Sequence, residues 1–348
     1  MKRIRIGKRW VGDGEPCFII AEAGSNHNGN LEQAKKLIEI AAEAGADAVK
    51  FQTFRASRLY PKNAGISNYL GVDRQIYDII AEMEMPYDWI PELAEQCAQR
   101  GVEFISSPFD EESADTLEPF VPAYKIASYE MTHLPLVRHV ANKMKPVIIS
   151  TGASNLAEVA ETVTAFRETG NEQLILMQCT ASYPAPLDSV NLRAIQTMQR
   201  EFDVPVGLSD HSLDPFLVPV VAVSLGACAI EKHFTFSNSL PGPDHKFAVE
   251  PPGLHEMVRR IRESEQALGD GRKDCSPVEE ELRAFARRSI FATRAIYAGT
   301  ELTKGNIAVL RCGQQGSGLP PQAFDGLLGR TAAREIEVGD LIRLSDLA

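Results

Sequence analysis

The chain has 348 residues, 44% of them hydrophobic, with 36 Lys and Arg against 47 Asp and Glu and a formal net charge of −11. That balance argues against a nucleic-acid backbone as partner, which needs a basic face, but leaves room for a local lysine pocket around a small anion. Six scattered cysteines, no N-terminal signal core and no bilayer-length apolar run lead to the expectation of a reduced, cytoplasmic protein with no membrane segment.

Short apolar runs alternate with helical patterns along the chain. The predicted strands are CFIIAEAG (17–24), DAVKFQ (47–52), EFISSP (103–108), AYKIAS (123–128), PVIIST (146–151), LILMQCT (174–180), PVGLSDH (205–211) and AIEKHF (229–234). After the first, Leu31, Ala34, Leu37, Ile38 and Ala41 share one helix face. Asn30 with Gln33 has the spacing of a capping box, and Gly45 suits the stop. Later helices are predicted over 188–202 and, with Asp214 as N-cap and Pro215 at N1, over 216–228. A last one covers 253–269. Residues 53–75 read as a loop inserted over the strand ends. Eight strands, each followed by helix or loop, predict an α/β fold, a (β/α)₈ TIM barrel over residues 1–270.

A charged, Gly- and Pro-punctuated stretch, 271–286, reads as a linker. The tail, 287–348, holds a degenerate repeat: IYAGTELTKGNI and IEVGDLIRLSDL match at Ile296/Ile336, Gly299/Gly339, Leu302/Ile342, Asn306/Asp346 and Ile307/Leu347. Two copies of one unit predict a small domain with pseudo-two-fold symmetry, its core too slight to dispense with a docking surface. A Gly/Pro-rich loop between the copies carries Arg311.

The predicted barrel strands start apolar and turn polar at their C-terminal ends. Glu22, Lys50 and Gln52, Ser107, Lys125 and Ser128, Ser150, Ser209 and His211, and Glu231 and His233 all occupy such positions. Barrel enzymes carry their active sites at that rim, so these groups are expected to converge. His211 and His233 end adjacent strands, and two imidazoles with open positions between them suit a divalent transition metal. Lys50 and Lys125, with the hydroxyls of Ser107, Ser128, Ser150 and Ser209, read as a cradle for a phosphate or carboxylate. A Schiff-base lysine would instead prefer to stand alone in a desolvated site. Glu22, Glu130 and Asp244 are carboxylates fit to move protons or grip sugar hydroxyls, and each could equally pair with a lysine.

Taken together, IIAEAGSNHNGN, GADAVKFQT, FISSPFD, AYKIAS, IISTG, CTASYPAP, VGLSDHSLD, EKHFT and PGPDHK resemble, in order, the sialic acid (N-acetylneuraminate) synthase family, which includes legionaminate and pseudaminate synthases. The tail from Arg288 is similar to the family's antifreeze-like (SAF) domain. The resemblance implies a transferase that condenses phosphoenolpyruvate with an open-chain N-acetylated hexose, usually N-acetylmannosamine, and water. The products are a nine-carbon 2-keto sugar acid and phosphate. It implies a divalent metal, commonly Mn²⁺ with Mg²⁺ or Co²⁺ as alternatives, on His211 and His233. Lys50, Ser107, Lys125, Ser128, Ser150 and Ser209 would hold phosphoenolpyruvate, and Glu22 and Asp244 would serve the attacking water. Gln52, Glu130, Tyr183 and Asp244 would face the sugar. Arg311 would reach it from the tail of the other subunit in a domain-swapped homodimer.

Two residues depart from the pattern of some sialate synthases: Ala181 stands where those have asparagine, and Tyr129 where some have glycine. The same reaction on a diacetamido hexose is therefore the alternative reading. Remoter rivals are a Schiff-base aldolase using Lys50 or Lys125, and a non-catalytic carbohydrate-binding protein.

Overall fold

The computed structural model describes residues 2–66 and 74–348, so residues 67–73 of the predicted inserted loop lie outside the described residues. The chain divides after Gly269 into two compact units. Among the described residues no helix is long and apolar enough to cross a membrane.

The first unit opens with an antiparallel hairpin, β1 (Arg3–Ile6) and β2 (Arg9–Gly12). Eight parallel strands follow: β3 (Phe18–Gly24), β4 (Ala48–Thr53), β5 (Glu103–Pro108), β6 (Tyr124–Ile126), β7 (Val147–Ser150), β8 (Leu174–Cys179), β9 (Val206–Asp210) and β10 (Ala229–His233). They close in sequence order, with β10 pairing back to β3, into a barrel. Each predicted strand is present.

Alternation of side chains along a strand explains both the core and the rim. Phe18, Ile20, Ala48, Ile105, Ala123, Ile148, Ile175, Met177 and Ala229 form one buried cluster, which Ile4, Ile6 and Val11 of the hairpin join. Continuing each series by two residues leads to Glu22, Lys50, Ser107, Lys125, Ser150, Cys179 and Glu231, all buried. The intervening residues Ile19, Ala21, Val49, Phe51, Tyr124, Ile126, Leu176, Leu208 and Ile230 pack in a second cluster with helix residues such as Leu37, Leu93, Val137, Phe166, Ile195 and Leu254. The interior is crowded enough that a Cβ on Gly207 would sit 2.5 Å from the Ala229 carbonyl oxygen.

Helix boundaries follow local chemistry. Helix Leu31–Ala44 starts on Asn30, whose side chain accepts the Gln33 N–H, and ends on Gly45 at φ 84. The Gln33 amide goes to the Asn26 carbonyl, so the capping box is only half made. The helix expected over 188–202 begins at Arg193, because Leu187–Ser189 forms its own 3₁₀ turn and Asn191 takes a left-handed φ of 47. The helix after Asp214 likewise starts late, at Leu217. Asp214 still accepts the N–H groups of Phe216 and Leu217, so the predicted cap acts two residues ahead of the observed cap position, Phe216. Helix Pro251–Leu268 closes the unit.

In the second unit, Glu280–Ala286 is helical within the stretch read as a linker. Strands β11 (Arg288–Ala292) and β12 (Ile307–Arg311) pair antiparallel. The sequence repeat is a structural one. Ile296 and Ile336 exchange backbone hydrogen bonds, and both are fully buried with Leu302 and Ile342. Gly299 and Gly339 turn at φ 84 and 89. Asn306 accepts the Thr303 N–H and Asp346 the Arg343 N–H, the same short cap in each copy.

Candidate active site

The polar ends of the barrel series meet in a buried ionic cluster. Lys50 Nζ lies 2.9 Å from Glu22 Oε2 and 3.8 Å from Glu231 Oε1, and donates to Ser107 Oγ at 3.3 Å. Lys125 Nζ donates to Ser150 Oγ at 2.6 Å and to the Ile126 carbonyl at 3.2 Å, with Glu231 Oε2 3.8 Å away. Ser209 Oγ donates to Glu231 Oε1 at 3.2 Å. Five of the six residues expected to hold an enol phosphate (Lys50, Ser107, Lys125, Ser150 and Ser209) thus belong to one contact network. The sixth, Ser128, lies beside it: its hydroxyl accepts the Gly152 N–H at 3.1 Å and contacts Cys179 Sγ at 3.4 Å.

Burial sets the electrostatics, and neighbours modify it. Burial works against the ammonium of Lys50, but Glu22 and Glu231 more than offset it and its pKa stands above the ordinary value. For Lys125 burial wins despite Glu231, and the pKa stands below the ordinary value. The Glu22 carboxyl is raised by burial against the pull of Lys50, and Asp244 is raised by burial too. Glu130, buried on the turn after β6, is pushed up to about 7 by desolvation.

Asp244 reaches the same region from the loop after β10. A Cβ on Gly24, which has φ +52, would lie 2.8 Å from Asp244 Oδ2 and 3.5 Å from both Glu22 Oε1 and Gln52 Nε2. Gln52 Nε2 donates to Glu22 Oε1 at 2.9 Å. Glycine is what lets these three side chains share the space. The loop holding Asp244 is fastened by His245, whose ring nitrogens contact Thr235 Oγ1 at 2.6 Å and Asn28 Oδ1 at 3.1 Å.

His211 and His233 stand next to each other, ring centroids 5.5 Å apart. Tyr183 packs at 4.1 Å on His211 and edge-on to His233 at 6.1 Å, and Phe247 packs on both Tyr183 and His233 at 5.0 Å. The two rings are donors of the type a divalent metal takes, although at His211 burial is outweighed by Cys179, the Thr180 carbonyl and Glu231, which hold its pKa above the ordinary value, so a metal there would displace a proton. His211 Nδ1 is 2.9 Å from the Thr180 carbonyl, a contact that orients the ring and would leave Nε2 to face a metal. His233 is held neutral, its pKa well below the ordinary value through burial and the nearby cations, and its buried Nδ1 has no hydrogen-bond partner. Among the described residues no three His, Cys, Asp or Glu side chains form a metal cluster, so this pair would leave most coordination positions to water or substrate.

Three residues of the cluster had no role assigned from sequence. Glu231 shares the predicted face of His233, and only the position of both lysines around it shows its place. Cys179 continues the interior series of β8 and lies 3.8 Å from His211 Nδ1. Gly24 gives no chemical signal at all. Arg311 belongs to the second unit, exposed on β12 opposite Arg288. A cavity of about 850 Å³ adjoins the rim between the loop after β7 and helix Arg193–Phe202, and touches the cluster through Cys179, Thr180 and Ala181.

Comparison with known proteins identifies the family and the fold. The NeuB family model matches residues 37–273 and the SAF domain model residues 287–348. The spore coat polysaccharide biosynthesis protein SpsE of Bacillus subtilis is 45% identical over 97% of this chain and 95% of its own length. The N,N'-diacetyllegionaminic acid synthase of Legionella pneumophila is 41% identical over 94% of both chains. Among solved structures, the N-acetylneuraminic acid synthetase of Leptospira borgpetersenii, in complex with citrate, superposes with a TM-score of 0.73 at 31% identity, covering 81% of this chain and 95% of that one. The chain is therefore an enzyme of the NeuB family, the family of nonulosonic acid synthases, built as a TIM barrel followed by a SAF domain.

Proposed function

We propose that this enzyme condenses phosphoenolpyruvate with open-chain N-acetylmannosamine and water, giving N-acetylneuraminate and inorganic phosphate. The observation that carries the proposal is the pair of buried lysines, Lys50 and Lys125, ringed by serine hydroxyls beside two facing imidazoles. In this reading Lys50, Lys125, Ser107, Ser128, Ser150 and Ser209 grip the phosphate and carboxylate of the enol phosphate. Ammonium groups supply charge and hydroxyls supply directed hydrogen bonds.

A divalent ion on His211 and His233, Mn²⁺ in first place, would supply Lewis acidity at the aldehyde oxygen. C3 of phosphoenolpyruvate bonds to the aldehyde carbon as the carbonyl electron pair moves to its oxygen, which takes up a proton to become a hydroxyl, and C2 is left electron-poor. Water adds to C2 as Glu22 or Asp244 takes its proton, both carboxyls being raised by burial toward the working range of a general base. The tetrahedral carbon then expels phosphate into the lysine cradle and becomes the keto group. Gln52, Glu130 and Tyr183 are read as sugar contacts. Arg311 is read as a contact from the SAF domain of a second subunit in a domain-swapped homodimer, working in the cytoplasm.

One observation favours a second reading, in which the hexose carries two acetamido groups. Ala181 is small and lines the cavity together with Cys179 and Thr180. The legionaminic acid synthase cited above also bears a product name with two acetyl groups. Phosphate release from phosphoenolpyruvate, measured with N-acetylmannosamine and with diacetamido hexoses, tests both readings. Release with at least one sugar, lost with EDTA and restored by Mn²⁺, is expected. Release with none removes the proposal, and borohydride trapping of pyruvate on a lysine would replace it with an aldolase.

A further inference from the structure

Glu231 is the only carboxylate of the described residues in ion-pair reach of both lysines, 3.8 Å from each. It is 4% exposed, held by one hydrogen bond from Ser209, and its Oε2 has no hydrogen-bond partner. The two lysines depend on it unequally. Lys50 has Glu22 at 2.9 Å as a second counter-charge. The other contacts of Lys125, Ser150 Oγ and the Ile126 carbonyl, are neutral. An ammonium buried this deeply is costly without an anion.

Resting on the phosphoenolpyruvate reading above, we propose that Glu231 is a positioning residue that holds Lys125 as an ammonium facing the barrel mouth until the enol phosphate arrives as its counter-charge. The orphaned Oε2 fits a carboxylate placed for its charge rather than for a directed hydrogen bond. The groups whose charge acts on Lys125 are Glu231 from β10, Glu22 from β3, Lys50 from β4, Cys179 from β8 and Glu130 from the turn after β6. Glu231 is the strongest of those that favour the ammonium, and Lys50 opposes it. Because burial already draws Lys125 below the ordinary lysine range, loss of this neighbour brings its deprotonation toward working pH.

The test is the pH dependence of phosphoenolpyruvate binding to the metal-loaded full chain, by calorimetry, with KM and kcat followed in parallel. Lys125 must be charged to bind, so affinity is present at low pH and falls as pH rises through its pKa. In Glu231→Gln that fall is expected about 1–3 pH units lower, the range an adjacent opposite charge produces. KM should carry the change, and Glu231→Asp should restore most of it. Lys125→Arg, whose guanidinium stays charged, should lose this alkaline limb, and adding Glu231→Gln should then move nothing. An unshifted limb in Glu231→Gln, a loss that is the same at every pH, or a limb that persists in Lys125→Arg overturns the inference. Wild-type protein that binds no phosphoenolpyruvate at any pH overturns the functional proposal beneath it.

Discussion

Strands β9 and β10 carry two sets of buried charges on opposite faces, and the two sets are finished differently. On the outer face, Lys232 Nζ sits 2.5 Å from Asp210 Oδ2 and donates to the Ser212 carbonyl at 2.7 Å, while Asp210 Oδ1 accepts the Ser212 N–H at 2.9 Å. Every charge there has a partner inside the fold. On the inner face, Glu231 Oε2 and His233 Nδ1 are buried without a hydrogen-bond partner, as is Glu130 Oε2 nearby, whereas Glu22 Oε2 has the Lys50 ammonium at 2.9 Å. Folding alone would select against the second arrangement, since an unsatisfied buried polar atom costs about 1–3 kcal/mol. The outer set is completed inside the fold, while the inner set keeps unpartnered atoms of the kind the proposed ligand site requires.

Breaking the outer set should have the largest effect on stability. Asp210→Asn or Lys232→Met alone leaves an unpaired buried charge and should cost about 3–5 kcal/mol in denaturant unfolding. The double replacement Asp210→Leu with Lys232→Met should recover most of that loss. If each single change costs under about 1 kcal/mol, the distinction between the faces fails.

The inner set should respond in the opposite sense. Lys125→Met is expected to lower kcat/KM about 10²–10³-fold, the usual cost of one charge-stabilising group, with stability unchanged or raised. A stability loss matching that of the outer pair would make the inner lysine structural as well.

Glu130 sharpens the comparison through pH. Its carboxyl is raised by burial from 4.5 to about 7, so the fold favours its protonated form. That contribution is complete below pH 4.5 and is lost as pH climbs through about 7. Glu130→Gln should flatten the decline across this window by up to about 3 kcal/mol, read as unfolding free energy against pH. An unaltered slope would show that another group governs it.

The smallest effect is expected at Gly24. Alanine there must adopt a left-handed φ and meet Asp244 Oδ2 at 2.8 Å, costing about 1–2 kcal/mol of stability. Displacement of Asp244 should lower kcat more than it raises the KM for phosphoenolpyruvate. An equal or greater rise in that KM would mean Asp244 does not serve the chemical step.

Much of this contrast was legible in the sequence because a strand alternates strictly. Ala229, Glu231 and His233 had to share a face, and so had Ala123 with Lys125 and Ile148 with Ser150. What could not be read were contacts set by the closure of the barrel. The distance from Glu231 to both lysines depends on β10, β4 and β6 facing one another across the interior, which no local pattern encodes. Gly24 is silent for a related reason, since its importance lies in Asp244, 220 residues away along the chain. Helix starts were blurred at Asp214 and Asn191, where single side-chain caps and one left-handed residue decide the boundary. In the tail, the repeat was readable because each copy makes the same cap and the same buried contact.

The central claim is that the inner charges exist to receive an enol phosphate beside a metal. The most direct measurement is a crystal structure with Mn²⁺ and phosphoenolpyruvate, with the metal located by anomalous scattering. The account predicts one manganese bound by His211 and His233, and a phosphate seated between Lys50 and Lys125. Manganese away from both imidazoles, with the two lysines still turned to Glu22 and Glu231 and no phosphate between them, would contradict it.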